Sequence, residues 1–356
     1  MPVVEAVAHA VPPTRLSQRR AKAVAESLFA ERGAGDRLLD VFDNGRIRER
    51  ALAMPLEWYF EDHGHADRAK AYADVGLALA AEATARALGR ARLSPEDLGG
   101  ILFVSTTGFA TPSLDARLAE RLGFRRDAVR LPVWGLGCAG GVAGLNRAAD
   151  LARARPDERF LLVALELCSL AFDLPSLFSA AGNEGRADVD RKHLVAASLF
   201  ADGCAAVVVA GDASGARGPR HAGGASHLFP ATERVMGWDV TDRTLDVVIS
   251  PEIPAIVQRE MAALVEGLAR GRTIHHWLLH PGGAKVLDAY ATSLGLDDKA
   301  LRHASDVLAA HGNMSSPTVL FALERALAEG SPAPGERALL AALGPGFASE
   351  LALLEG

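Results

Sequence analysis

Short apolar runs alternate along the chain with longer stretches in which Ala, Leu and Arg recur at helical spacing. AYADVGLALAAEATARALGRA (71–91) predicts a helix, and SPEDL (94–98) a turn. GGILFVSTT (99–107) is apolar, short and bounded by Gly, which predicts a buried strand. A helix over 113–124, closed by Gly123, follows. LPVWGLG reads as a strand running up to Cys138, and a helix begins just after it and ends near Pro156. RFLLVALEL (159–167) and FADGCAAVVVAGD (200–212) predict two more strands. The second half repeats this grammar, with helices over 254–271, 282–295 and 314–329 and a strand over 274–280. Two closing strands over 336–356 flank a Gly-Pro-Gly turn. Alternation of this kind implies an α/β fold with sheet covered by helices on both faces. GDASGARGPRHAGGAS (211–226), rich in Gly and Ser, is the expected seam between units 1–212 and 213–356.

The chain of 356 residues is long for one simple core, which also favours two domains or two fused halves. A net charge of -6 gives no case for a nucleic-acid partner. Three Cys do not make a disulfide framework, and so sparse an odd count fits a reducing compartment. The first residues lack the pattern of a signal peptide, and no apolar run is long enough to span a bilayer. A soluble, cytoplasmic protein is expected.

Three residues stand out as candidate chemistry. Cys138 lies in GLGCAGGVAGL, between a presumed strand and a presumed helix. A thiol at a helix N-terminus is favoured as thiolate, and Gly137, Gly140 and Gly141 would permit a sharp turn and close substrate approach. Free Cys is also among the most buried and inert residue types, so this stretch alone leaves packing and chemistry evenly balanced. Cys168 and Cys204, beside strands among apolar neighbours, read as packing as far as catalysis goes. His280 ends an apolar run before Pro281-Gly282-Gly283, at the C-terminal end of a strand, where α/β folds build sites. Asn313, in HGNMSSPT, reads on its own as an N-cap, although an Asn amide can also orient a His or donate to an oxyanion. Together the three supply a nucleophile, a base and an oxyanion donor. A papain-like thiol protease uses the same residue types, but its nucleophile lies near the mature N-terminus in a different motif. The chain has no CxxC or HExxH, and its HxxxH, HWLLH (276–280), falls in the presumed strand, so a metal site is not expected; it has no P-loop, and GLGCAG (135–140) has the GxGxxG spacing but is not read as a dinucleotide fingerprint.

WGLGCAGGVAGL, HPGGAKVL, GNMSSPTVLFAL and LGPG, in that order, resemble type III polyketide synthases, the chalcone synthase-like enzymes of the thiolase superfamily. VSTTGFATPS (104–113), LFADG (199–203) and MGWDV (236–240) extend the resemblance from about residue 40 to the end. It implies a thiolase-like fold, two similar α/β halves in an αβαβα layered arrangement, and a homodimer. It implies acyl-CoA and malonyl-CoA as substrates, with no resident cofactor and no metal. Cys138 then matches the nucleophile that carries the acyl chain as a thioester. His280 and Asn313 match the pair that stabilise the enolate left when malonyl-CoA, or a substituted malonyl-CoA, loses carbon dioxide, and His280 should keep Cys138 as thiolate.

Phe200 matches the gatekeeper aromatic, and Val247 falls at the position of a second one. The residue that crosses the dimer interface falls at Thr111. Thr106, Thr107, Cys168, Ala171 and Ser315 occupy the starter pocket and are mostly small, which leaves volume. In this the chain is similar to bacterial members that take fatty acyl starters and make alkylpyrones or alkylresorcinols. The family also places cations near Arg37 and the basic stretch with Arg46, Arg48 and Arg50, to pair with CoA phosphates. That stretch otherwise reads as a solvated face. Gly282 and Gly283 would let a pantetheine arm pass close to the backbone. The alternatives are a ketoacyl carrier-protein synthase III-like enzyme performing one condensation, and a non-catalytic acyl-CoA-binding member of the fold.

Overall fold

The computed structural model describes residues 1–30, 39–171, 186–242 and 244–356. Its strands are β1 (Val3–Ala10), β2 (Thr14–Ser17), β3 (Glu49–Leu52), β4 (Leu98–Val104), β5 (Val129–Val133), β6 (Arg159–Leu167) and β7 (Asp202–Ala210) in the first half. The second half adds β8 (Arg220–Leu228), β9 (Met236–Val240), β10 (Leu245–Ile249), β11 (His276–Leu279), β12 (Arg337–Gly344) and β13 (Ala348–Glu355). The helices are α1 (Gln18–Ala30), α2 (Asp40–Asn44), α3 (His65–Ala91), α4 (Leu114–Leu122), α5 (Gly140–Ala154) and α6 (Arg186–Leu199), then α7 (Ile253–Ala269), α8 (Ala284–Leu294), α9 (Arg302–His311) and α10 (Thr318–Ala328).

Nine strands run in the order β11-β12-β13-β8-β1-β7-β6-β4-β5. Parallel pairs (β4 with β5 and β6, β11 with β12) mix with antiparallel ones. β1 meets β8 at a single pairing, Val3 with Arg220, so the five first-half strands and the four second-half strands are joined by little more than a hinge. The apolar runs explain the layers. Along β6, Phe160, Leu162 and Ala164 face one core while Leu161, Val163 and Leu165 face another. Along β12, Ala338, Leu340 and Ala342 join the first of these cores, and Leu339, Ala341 and Leu343 a third. A strand buried on both faces needs apolar residues at every position, and these runs have them. The shared core holds Val142 and Leu145 of α5 and Val319, Leu320 and Leu323 of α10. α3 and α4 cover the outside of one sheet, and α7 and α8 the outside of the other. Five layers result: helix, strand, helix, strand, helix.

Several expectations need correction. Residues 211–226 are not all seam, because β8 starts at Arg220. Its Gly224 is needed for packing, since a Cβ there would lie 2.4 Å from Asn146 Oδ1 of α5. The strand before Cys138 stops at Val133, and the helix expected over 314–329 begins at Thr318. β1, β2, β3, β9 and β10 carry no strong alternation in the sequence and are seen only in the fold.

α5 and α10 meet in the middle layer with almost no space between them. A Cβ on Gly141 would lie 2.2 Å from the backbone oxygen of Ser316 and 3.0 Å from Val319 Cγ1. Gly141→Ala should therefore destabilise the protein by about 1–3 kcal/mol, the usual effect of overpacking a core. Urea denaturation would show a lower midpoint at unchanged slope, and an unchanged midpoint would contradict this packing.

Candidate active site

Chain ends and turns from both halves converge at one end of the middle layer. Cys138 sits in a short 3-10 turn, Gly137–Ala139, directly before α5. Gly137 takes a positive φ of 48°, and a Cβ on it would meet Pro345 at 2.6 Å. The small residues around Cys138 thus admit protein rather than substrate, with Pro345 and Ser316 both supplied by the second half. That corrects the expected reason for them.

The loop between α9 and α10 carries Asn313. Asn313 is not an N-cap: α10 starts after Pro317, and no side chain caps it. Instead its Oδ1 accepts from Ser315 N at 2.8 Å, and its Nδ2 donates to Gly282 O at 3.3 Å. Ser315 adopts a left-handed backbone (φ 60°), uncommon for a residue with a side chain, which this bond helps to hold. Asn313 N donates to Leu199 O, and Ala201 N to Asn313 O, so Phe200 and Asn313 form an isolated parallel bridge. The Ser315 and Asn313 side chains lie near the Cys138 sulfur and favour its thiolate.

His280 follows β11 directly, with its N–H donating to Ala341 O at 2.8 Å. It is buried, and neither ring nitrogen has a hydrogen-bond partner among the described residues. Burial drives its pKa down to about 3. Burial also pushes the Cys138 thiol up to about 11, and Ser315 and Asn313 only partly offset this. Burial thus acts against the effect expected of the helix N-terminus. Burial therefore favours the neutral thiol and the neutral imidazole.

Glu166, the one carboxylate in the apolar run of β6, lies beneath this group. Its Oε2 accepts from Thr106 N (2.9 Å), Thr107 N (3.0 Å) and Thr107 Oγ1 (2.8 Å), and its Oε1 accepts from Ser316 Oγ (2.9 Å). Thr106 Oγ1 in turn accepts from Gly137 N at 3.0 Å. Burial raises the Glu166 pKa to about 7 despite four donors. Sequence reasoning missed Glu166, although an acid inside RFLLVALEL was a visible signal.

Phe200 packs with Cys168 and Val247, and Trp238 tilts over the Phe200 ring at 5.8 Å. A crevice lined by Thr107, Ala171, Leu170, Leu245 and Phe109 opens alongside. The structure therefore brings Cys138, Asn313, Ser315, Thr106 and Thr107 into one bonded group, and Phe200, Cys168 and Val247 into an adjoining apolar one. Trp238 was missed as a neighbour of Phe200.

The basic stretch divides. Arg50 is corrected outright: it is 2% exposed and donates to the carbonyls of Ala197 and Phe200, so it cannot reach a CoA phosphate. Arg46 and Arg48 are exposed, and Arg46 pairs with Asp288 at 2.9 Å. Arg37 lies outside the described residues. A Cβ at Gly282 or Gly283 would meet only ordinary contacts, of 3.5 Å or more.

Comparison with known proteins gives the family. Residues 65–213 match the N-terminal domain of chalcone and stilbene synthases, and residues 222–356 match the C-terminal domain. The 1,3,6,8-tetrahydroxynaphthalene synthase of Streptomyces peucetius subsp. caesius is 40% identical over 363 residues, covering 99% of this chain and 92% of the relative. The 3,5-dihydroxyphenylacetyl-CoA synthase of Streptomyces toyocaensis is 33% identical, covering 88% and 81%. The crystal structure of the Streptomyces coelicolor tetrahydroxynaphthalene synthase, a bacterial type III polyketide synthase, superposes with a TM-score of 0.90 at 31% identity, covering 99% and 98%. The chain belongs to the chalcone and stilbene synthase family and has its thiolase-like fold. It is a condensing enzyme of the type III polyketide synthase class.

Glu166 generates a pH prediction. Its folded pKa of about 7 lies above the ordinary carboxyl value of 4.5, so the folded state holds the proton more tightly. The stability this gives is full below about pH 4.5 and is lost as pH rises through 7. The loss is roughly 3 kcal/mol at about 1.4 kcal/mol per pKa unit. Glu166→Gln should flatten that part of the stability profile, measured by urea denaturation from pH 4.5 to 8. An equally steep profile in the variant would assign the effect elsewhere.

Proposed function

We propose that the chain extends an acyl-CoA starter by repeated decarboxylative condensation with malonyl-CoA, using Cys138, His280 and Asn313, and then releases a cyclised product. The observation that carries this is the arrangement around one buried sulfur. Asn313 and Ser315 lie near enough to favour its thiolate, and His280 has two ring nitrogens with no partner among the described residues.

The chemistry follows in order. The Cys138 proton passes to His280, and the sulfur attacks the acyl-CoA carbonyl. The resulting oxyanion collapses, and CoA leaves with a proton. Malonyl-CoA then loses its carboxylate as carbon dioxide, and the bonding pair becomes an enolate. The enolate oxygen is held by an N–H of His280 and an N–H of Asn313. The Asn313 amide has two N–H groups: Gly282 O takes one, and the other, on the Cys138 side, is the one read as donating to the enolate oxygen. Two donors on one developing charge in a buried site are worth far more than in water. The enolate carbon attacks the Cys138 thioester and frees the thiolate. The lengthened acyl-CoA returns to Cys138 for the next round. Substrates bring their own CoA, so this reading draws on no resident cofactor and no metal. Three free thiols suit a reducing cytoplasm.

The starter is read as a fatty acyl group and the product as an alkylpyrone or alkylresorcinol. Support comes from the small residues Thr106, Thr107, Cys168, Ala171 and Ser315, with Val247 rather than an aromatic beside Phe200. A second reading rests on the 40% identity to a tetrahydroxynaphthalene synthase. That product carries no alkyl chain, so no fatty starter is needed for it. CoA would enter past Gly282 and Gly283, with Arg48 free to meet phosphate and Arg46 available once it leaves Asp288. A homodimer is read from β5, an edge strand with exposed Leu131, and from the exposed Phe109 and Trp134, which stack at 5.6 Å.

Mass spectrometry of products from a panel of starters with malonyl-CoA tests the substrate. Medium- and long-chain acyl-CoAs should outcompete aromatic ones and give alkyl-bearing rings. An unsubstituted naphthalene from malonyl-CoA alone would replace the first reading with the second. Asn313→Ala should lower malonyl-CoA decarboxylation on the order of 100-fold, as loss of an oxyanion donor does. Wild-type decarboxylation by that variant would sink the assigned role.

A further inference from the structure

Arg50 lies on β3, far from the other groups in sequence, yet its side chain spans the two segments that carry Phe200 and Asn313. Its Nη1 donates to Ala197 O at 2.5 Å, in the last turn of α6, and to Phe200 O at 2.9 Å. A guanidinium at a helix C-terminus satisfies carbonyls that have lost their partners and answers the negative end of the dipole. Its stem lies flat on Gly312, where a Cβ would be 2.8 Å from Arg50 Cγ and 2.9 Å from Cδ. Gly312 has a φ of 70° and directly precedes Asn313. The two segments are themselves tied by Asn313 N to Leu199 O and Ala201 N to Asn313 O. Moving the Arg50 side chain therefore shifts both ends of that bridge.

The charge is compensated nearby. Asp202, two residues after Phe200, attracts the guanidinium across a buried space. It accepts from Ser169 N at 2.8 Å, from the Ser169 hydroxyl and from Ala53 N at 2.5 Å. Ser169 follows Cys168, so the same buried pair also reaches the apolar wall beside Phe200. A cation with no direct carboxylate contact among the described residues, spending its bonds on two backbone carbonyls, is held for position rather than for an ion pair.

We infer that Arg50 is a positioning residue: it fixes Asn313 and Phe200 relative to Cys138. This rests on the roles proposed above for Cys138 and Asn313. Arg50→Met keeps the stem and removes the donor. It should lower kcat for malonyl-CoA decarboxylation on the order of 10- to 100-fold, as small misplacements do. KM for malonyl-CoA should stay within about twofold, since no ground-state contact is lost. Acylation of Cys138 by a starter alone, followed by mass spectrometry, should proceed at the wild-type rate. Gly312→Ala pushes the stem from the other side and should give the same split, and it carries the test if Arg50→Met does not fold. Arg50→Lys should recover part of kcat, because an ammonium can reach one of the two carbonyls. A rise in KM with kcat intact would make Arg50 a CoA contact and overturn the inference, as would wild-type decarboxylation in both variants. Asn313→Ala is measured in parallel. If it decarboxylates normally, the catalytic reading fails; if it does not while Arg50→Met does, only the inference about Arg50 fails.

Discussion

The carboxylate of Glu166 is buried under the nucleophile, and the site is arranged to satisfy it. Four donors from two segments converge on it, two backbone amides and two hydroxyls. Ser316 brings in the second half of the chain, and Thr106 passes the contact on to Gly137, the residue before Cys138. An unsatisfied buried carboxylate would oppose folding strongly. The β6 end, the 105–107 loop, the nucleophile turn and the Asn313 loop therefore cannot drift apart independently. Meeting the needs of one acid sets the spacing of the groups proposed as catalytic.

Burial has a second consequence. It favours the neutral thiol of Cys138 and the neutral imidazole of His280. A buried His with no partner among the described residues can accept a proton and, in its N–H form, donate to an oxyanion. The same desolvation that opposes the free thiolate strengthens every hydrogen bond to the oxyanion.

Much of this was legible in the chain. RFLLVALEL is β6 at the expected bounds, because a strand buried on both faces needs an unbroken apolar run. His280 ends its strand as the Pro-Gly-Gly turn suggested, and Cys138, His280 and Asn313 all come to one end of the middle layer. What escaped depends on long-range contacts. Arg50 in GRIRER looks like a solvated cation, and only the fold shows it buried on two carbonyls. Gly224 looks like linker, but it is a strand residue giving room to Asn146. Asn313 looks like a helix cap, but its amide is turned to Gly282 and Ser315. β9 and β10 form a separate hairpin whose Trp238 and Val247 matter through Phe200, a contact no local pattern announces.

The central claim is that one sulfur, Cys138, carries the growing chain. The most direct measurement is the mass of the intact protein after brief exposure to a fatty acyl-CoA without malonyl-CoA, followed by peptide mapping. The account predicts one acyl adduct, on the peptide containing Cys138, and none on Cys168 or Cys204, which burial holds as unreactive thiols. An adduct on Cys168, or full product formation with no acyl adduct on Cys138, would contradict it.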